Sequence, residues 1–137
     1  MDFALVGVPL AFMKASKTHT PGRLAEDFVA NYLINSGWQL LSRNSRTPFA
    51  EVDIFAIPPP CGSCLVLIEV KARHPLSWGQ NGLSLGFKQR RRLARALTFE
   101  IGRLNWQTDV RADLALVELD GGRPQGLELL QGIDLLP

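Results

Sequence analysis

Two short apolar runs, each with charge set inside it, constrain this chain more than any other feature. Ala50-Glu51-Val52-Asp53-Ile54-Phe55-Ala56-Ile57 and Leu65-Val66-Leu67-Ile68-Glu69-Val70-Lys71-Ala72 are bounded by Asn, Pro, Gly and Ser, which predicts two strands of one hairpin. Side chains alternate between the faces of a strand, so Glu51 and Asp53 share a face, as do Glu69 and Lys71. Closing the hairpin with Ile57 opposite Leu65 sets Asp53 opposite Glu69 and Glu51 opposite Lys71. The other face, Val52, Ile54 and Ala56 with Val66, Ile68 and Val70, is wholly apolar. The charged face also turns apolar at Phe55, Ile57, Leu65 and Leu67. A sheet of this kind is covered on both sides and carries its charges at one rim.

Directly opposed residues have Cβ atoms roughly 4.5–5.5 Å apart. Two carboxylates at that separation repel unless a cation lies between them. Mg²⁺ or Mn²⁺ meets that need, because a hard divalent ion takes oxygen ligands and is often held by one or two carboxylates, with water and phosphate oxygens completing the shell. Lys71 then stands where it can orient or deprotonate an attacking water and stabilise phosphate charge. A lone Glu-x-Lys is common as an ion pair on a solvated face; here it is set among residues that belong to a core.

The remaining elements place a second group of residues near the hairpin. Thr20-Pro21 is a helix start and Ser36-Gly37 a helix end, predicting a helix over 21–36. Its stripe is Leu24, Ala25, Phe28, Val29, Tyr32 and Leu33, with Asp27 opposite and Glu26 at the stripe's edge. From there a partly buried Glu26 can reach a metal site beneath the helix. Trp38–Ser42 reads as a further strand, 86–104 as a second helix, and 113–119 and 127–130 as two more strands around Asp120-Gly121-Gly122. The predicted fold is a single α/β domain, a central mixed five-stranded sheet flanked by helices, and the helix between the third and fourth strands permits a parallel crossover there. The 137 residues, 46% of them hydrophobic, suffice for one core. Residues 1–19 are expected to be a poorly ordered extension, and 20–137 the domain.

The net charge of +2 conceals a basic segment: Lys71 to Arg111 holds nine Lys and Arg against Glu100 and Asp109. Lys88, Arg91, Arg92 and Arg95 share one helix face and can follow a phosphate backbone, close after Arg73 and His74. Such contacts position a nucleic acid rather than read it. The 74–86 segment reads as a loop, its Trp78 packing on the loop itself. Cys61 and Cys64 have half the ligands of a zinc site, and Pro58-Pro59-Pro60 argues against a helix-opening redox pair; two thiols in a turn are expected. The apolar run 3–13 is too short to span a bilayer and lacks a basic leader, so a cytoplasmic chain without a membrane partner is expected.

Ala25-Glu26, Ala50-Glu51-Val52-Asp53-Ile54, Leu67-Ile68-Glu69-Val70-Lys71-Ala72-Arg73, Lys88 and Arg111-Ala112-Asp113-Leu114 together resemble the YraN-like family of predicted endonucleases, which is similar to archaeal Holliday-junction resolvases. Alanines 25 and 50 stand where that family usually has glycine; no charged site residue is missing. The resemblance implies a restriction-endonuclease-like fold and a DNA substrate that includes branched or structured DNA. It also implies a homodimer and an acidic-acidic-x-lysine site in which Asp53, Glu69 and Lys71 are central and Glu26 is the helix-borne carboxylate. With Glu51 behind Asp53, the expected function is metal-dependent phosphodiester hydrolysis. The alternatives are a DNA-binding protein of the same fold without turnover, and a small zinc or redox protein built on Cys61 and Cys64.

Overall fold

In the computed structural model the described residues are 20–60, 62–73 and 85–135. The expected extension at 1–19, Cys61, His74, Trp78 and most of the 74–86 loop lie outside them. Helix α1 runs Pro21–Asn35. The Thr20 hydroxyl accepts from the Arg23 N–H at 3.3 Å, and proline fills the first turn, where no backbone donor is required. The helix stops where Gly37 takes φ +90°, which lets Trp38 N donate to Leu33 O at 2.9 Å and satisfies a terminal carbonyl. Helix α2, Phe87–Leu104, ends the same way with Asn105 at φ +52° and Trp106 N bonded to Ile101 O.

The five strands are β1 (Gln39–Arg46), β2 (Glu51–Ile57), β3 (Cys64–Arg73), β4 (Asp109–Asp120) and β5 (Arg123–Leu130). They form one sheet in that order. All neighbours are antiparallel except β3 and β4, which are parallel and joined through α2. The expected single α/β domain with a mixed five-stranded sheet is therefore what the chain forms, with one helix on each face. Gly121 and Gly122, both at positive φ, make the two-residue turn between β4 and β5.

Packing follows the alternation of β3. Leu65 and Leu67 join Phe55, Leu114 and Leu116 beneath Leu93, Ala96 and Leu97 of α2. Val66 and Ile68 join Ile54, Ala56, Ala115 and Val117 against Ala25, Val29, Ala30 and Leu33 of α1. Burial of these side chains is the main source of stability, at about 1.5–3 kcal/mol for each large one. Tyr32 is 45% exposed, not part of the inward stripe, because Ala30 rather than Tyr32 meets the sheet. Asp27 is not a solvent-facing opposite pole either, since Arg43 Nη2 donates to it.

Three strand boundaries differ from the sequence reading. β1 continues through Arg43-Asn44-Ser45-Arg46 because pairing with β2 compensates for a polar sequence. β4 starts at Asp109 because it pairs with Cys64, and β5 takes in Pro124 and Gly126 as an edge strand.

Candidate metal and phosphate site

The hairpin adopts the expected register, with Ile54, Phe55 and Ala56 opposite Ile68, Leu67 and Val66. The ladder stops there, one step short of Asp53 and Glu69. Asp53 Oδ2 accepts from the Val70 backbone N–H at 2.8 Å, so a side chain occupies the place of the next strand-to-strand bond. Strict alternation also fails, for Val52 and Phe55, three residues apart, pack in the same layer. On β1 the residue between the pairs Arg43–Ile54 and Ser45–Val52 is Asn44, at φ +51°, a left-handed conformation that asparagine tolerates better than most residues. Asp53 consequently does not lie on one face with Phe55, as simple alternation predicts. It sits where β2 and β3 part, reachable from both sides of the sheet.

Each side supplies a carboxylate. On the α2 side, Glu69 Oε2 accepts from Gln89 Nε2 at 2.6 Å and lies 3.8 Å from Lys71 Nζ. Lys71 Nζ is 3.5 Å from Gln89 Oε1, which closes a small circuit. Glu69 Oε1 is buried and no N–H or neutral O–H of the protein donates to it; the group that Glu69 meets is the Asp53 carboxyl, with which it can hydrogen-bond only by sharing a proton. On the α1 side, Glu26 is 5% exposed and its Oε1 accepts from Arg43 Nε at 3.1 Å, Arg43 Nη2 at 3.0 Å and Asn44 Nδ2 at 2.9 Å. All three bonds fall on one oxygen. A cleft of about 220 Å³ opens on the α1 side between Glu26 and Asp53, lined by Thr20, Gly22, Arg23, Glu26, Asn44, Glu51, Asp53 and Val70. Glu51 stands at its mouth, about half exposed, 3.7 Å from Arg46.

Burial raises the Asp53 carboxyl, against the Val70 N–H, which favours its charged form. Burial, and next the Asp53 charge, push Glu69 up to about 8. Burial also raises Glu26, opposed by the Arg43 guanidinium. Without a cation the Asp53–Glu69 pair therefore retains a proton at neutral pH. A hard cation fits this pair: the donors are all oxygen, one is buried with no N–H donating to it, and the two carboxyls are close enough to raise one another's proton affinity. Among the described residues no group of three or more carboxylate, His or Cys side chains closes on a single point, and Mg²⁺ commonly takes only one or two carboxylates from protein.

Of the predicted site residues, Asp53, Glu69 and Lys71 are brought together, Glu26 joins them across the cleft, and Glu51 lies at the rim. Lys88, Arg91, Arg92 and Arg95 are exposed on α2. Arg73 closes β3, its Nη1 donating to Ala72 O at 3.1 Å. Sequence reasoning missed Gln89, Arg43 and Asn44. The only signal for Gln89 was an amide among basic residues at a helix start. For Asn44 it was asparagine inside a strand, a usual mark of irregular backbone. Asp113, part of the motif that carried the resemblance, is fully buried and held by Arg111 at 2.8 and 3.0 Å and by Gly132 N at 3.0 Å; it anchors the chain after β5. Cys64 opens β3 at the far end of the sheet, away from Asp53. No helix among the described residues is long and apolar enough to cross a membrane.

The model of the uncharacterised protein family UPF0102 matches residues 25–117, which contain all four site positions and α2. A UPF0102 protein of Herpetosiphon aurantiacus is 34% identical over 119 residues, covering 83% of this chain and 93% of its own. One from a Synechococcus strain is 35% identical over 108 residues, 77% of this chain and 78% of its own. One from Shewanella amazonensis is 40% identical over 78 residues, 57% and 69% of the respective chains. With a match of this extent, the chain belongs to the UPF0102 family.

Proposed function

We propose that this chain is a metal-dependent endonuclease of restriction-endonuclease-like architecture that hydrolyses phosphodiester bonds in DNA, branched or structured DNA among its substrates. The observation that carries the reading is Glu69 Oε1, a buried carboxylate oxygen to which no N–H or neutral O–H of the protein donates, set against the Asp53 carboxyl and two residues from a lysine. Such an oxygen costs about 1–3 kcal/mol unless something binds it. A bound Mg²⁺ or Mn²⁺ would supply a Lewis acid for the phosphate and lower the pKa of a water nucleophile.

Asp53 and Glu69 would hold that ion, and Glu26 would support its shell from the α1 side. Gln89 fixes the Glu69 carboxylate through Oε2, and the Val70 N–H fixes Asp53, so neither has to reorganise when charge develops on the phosphate. Lys71 Nζ would orient the nucleophilic water or face the phosphate as a cation. Arg43 and Asn44 keep Glu26 aligned. Lys88, Arg91, Arg92 and Arg95, with Arg73, supply the sequence-independent grip on the backbone.

A second reading, DNA binding by the same fold without turnover, is favoured by the engagement of Glu26 Oε1 with three protein donors and of Lys71 with Glu69. An assay with Mg²⁺ or Mn²⁺ on linear duplex, single-stranded and four-way-junction DNA separates the two. Cleavage by the wild type that Lys71→Ala abolishes is the expected result. Binding without cleavage would establish the second reading, and cleavage surviving in Lys71→Ala would show that the activity resides elsewhere.

A further inference from the structure

An open groove lies beside the site rather than in it. It measures about 490 Å³, a volume usual for ligand clefts, and is lined by Phe49, Arg91, Ala94, Arg95, Thr98 and Phe99. Phe49 and Phe99 are 41% and 38% exposed. Their rings meet edge to face at 6.4 Å and 69°, so neither ring face is stacked on the other. Phe49 is no loose side chain. Thr47 Oγ1 donates to Ala50 O at 2.7 Å and accepts from the N–H groups of Phe49 and Ala50 at 3.1 and 3.0 Å. This turn holds the aromatic out ahead of β2, two residues before Glu51 and four before Asp53. Across the groove, Arg91 and Arg95 are one helical turn apart on α2, just beyond Gln89, which binds Glu69.

We propose that this groove seats an unpaired nucleotide of the DNA strand, its base stacked on Phe49 or Phe99 and its phosphate held by Arg91 and Arg95. The substrate class would then be DNA with a single-stranded or frayed stretch next to the cleaved bond, which rests on the reading of the chain as a DNA phosphodiesterase. Two pre-ordered, half-exposed phenyl rings flanked by two cations match a nucleotide, which presents an apolar π face and an anionic link together; stacking of this kind is tolerant of sequence because every base has a π face. A neutral apolar partner would leave both guanidinium groups facing a hydrophobic surface, which is costly.

The test is fluorescence anisotropy in EDTA, where no cleavage occurs, with a labelled single-stranded oligonucleotide and a blunt duplex of the same sequence. Phe49→Ala and Phe99→Ala are expected to weaken single-strand binding roughly tenfold and duplex binding less than about twofold, since stacking is lost only where a base is free. Arg91→Ala is expected to weaken both and lower the salt slope by about one. Phe99→Leu, which keeps apolar bulk without a ring, should retain the wild-type melting temperature yet still lose single-strand affinity, and decides the matter if Phe99→Ala does not fold. Phenylalanine variants that leave single-strand binding unchanged, or weaken both DNAs equally, would overturn the proposal. A wild type that fails to cleave any DNA with Mg²⁺ or Mn²⁺ would refute the nuclease reading alone, because the groove is read here by binding without metal.

Discussion

Glu69 on β3 and Asp113 on the adjacent β4 are both buried carboxylates, and the sheet treats them in opposite ways. Asp113 is fully enclosed, and each oxygen accepts a guanidinium N–H of Arg111, with Gly132 N adding a third bond; Arg111 in turn lies 5.8 Å from the centre of the Trp38 ring. Glu69 has a neutral amide and a lysine 3.8 Å away on one oxygen, no protein N–H on the other, and a second acid, Asp53, as its neighbour. The first is a buried charge made safe by its own chain and serves the architecture. The second is incomplete with protein alone, and a second carboxylate, Asp53, aggravates the deficit. A fold that can satisfy a buried acid so thoroughly on one strand leaves the neighbouring one open for something else to fill.

The contrast can be broken most severely at the chemistry. Lys71→Ala and Asp53→Ala should each lower the rate of DNA cleavage by about 10²–10³-fold, the loss usual for a preorganised charge at the reacting centre. In urea unfolding of the metal-free protein at pH 8, Asp53→Ala should cost no more than about 1 kcal/mol, since loss of the Val70 N–H acceptor is offset by relief of the repulsion with Glu69, and Lys71→Ala should cost about 1 kcal/mol, since it removes the partly exposed cation 3.8 Å from Glu69. Asp113→Ala should do the reverse to the fold. It leaves Arg111 without its partner and should cost about 3 kcal/mol, the low end for a broken buried pair since Arg111 is partly exposed.

A smaller effect of opposite sign is expected at Glu69. Its folded-state pKa is raised from 4.5 to about 8, so between those values the folded protein holds a proton that the unfolded chain has released. This contribution to stability is fully present below pH 4.5 and is lost as pH rises through 8. Glu69→Gln should therefore stabilise the metal-free protein at pH 8.5 by roughly 1–3 kcal/mol and flatten its melting temperature against pH across that window. A lower melting temperature for Glu69→Gln at pH 8.5 would mean that Glu69 is as well satisfied as Asp113. The smallest effect is at the surface: Arg92→Ala should change stability by less than about 0.5 kcal/mol while lowering the salt slope of duplex binding by about one.

Much of the fold around these two acids was legible in the residues. Apolar strands bounded by turn formers gave away the hairpin, and the register assumed for it, Ile57 opposite Leu65, is continuous with the pairs Ile54–Ile68, Phe55–Leu67 and Ala56–Val66 that the strands make. Thr20-Pro21 and Ser36-Gly37 marked α1 through capping chemistry that is local. A helix lying between two strands permitted the parallel β3–β4 pair that the chain forms. What could not be read is where the ladder ends. Asp53 leaves the face of Phe55 because its carboxylate replaces a backbone acceptor for Val70 and because Asn44 adopts a left-handed turn on the partner strand, and both are tertiary events. Gln89 and Arg43 stayed hidden for the same reason, each reaching its carboxylate from another element. The difference between Asp113 and Glu69 was equally invisible, since it depends on how many donors arrive from elsewhere.

The central claim is that the Asp53–Glu69 pair is completed by a divalent cation, and calorimetric titration of Mn²⁺ into the metal-free protein at pH 7, in buffers of different ionisation enthalpy, tests it most directly. The account predicts one strong site in the wild type, close to one proton released per ion as the ion displaces the proton the pair retains, and loss of that binding in Asp53→Ala. No binding heat in the wild type, or an identical isotherm in Asp53→Ala, would contradict it.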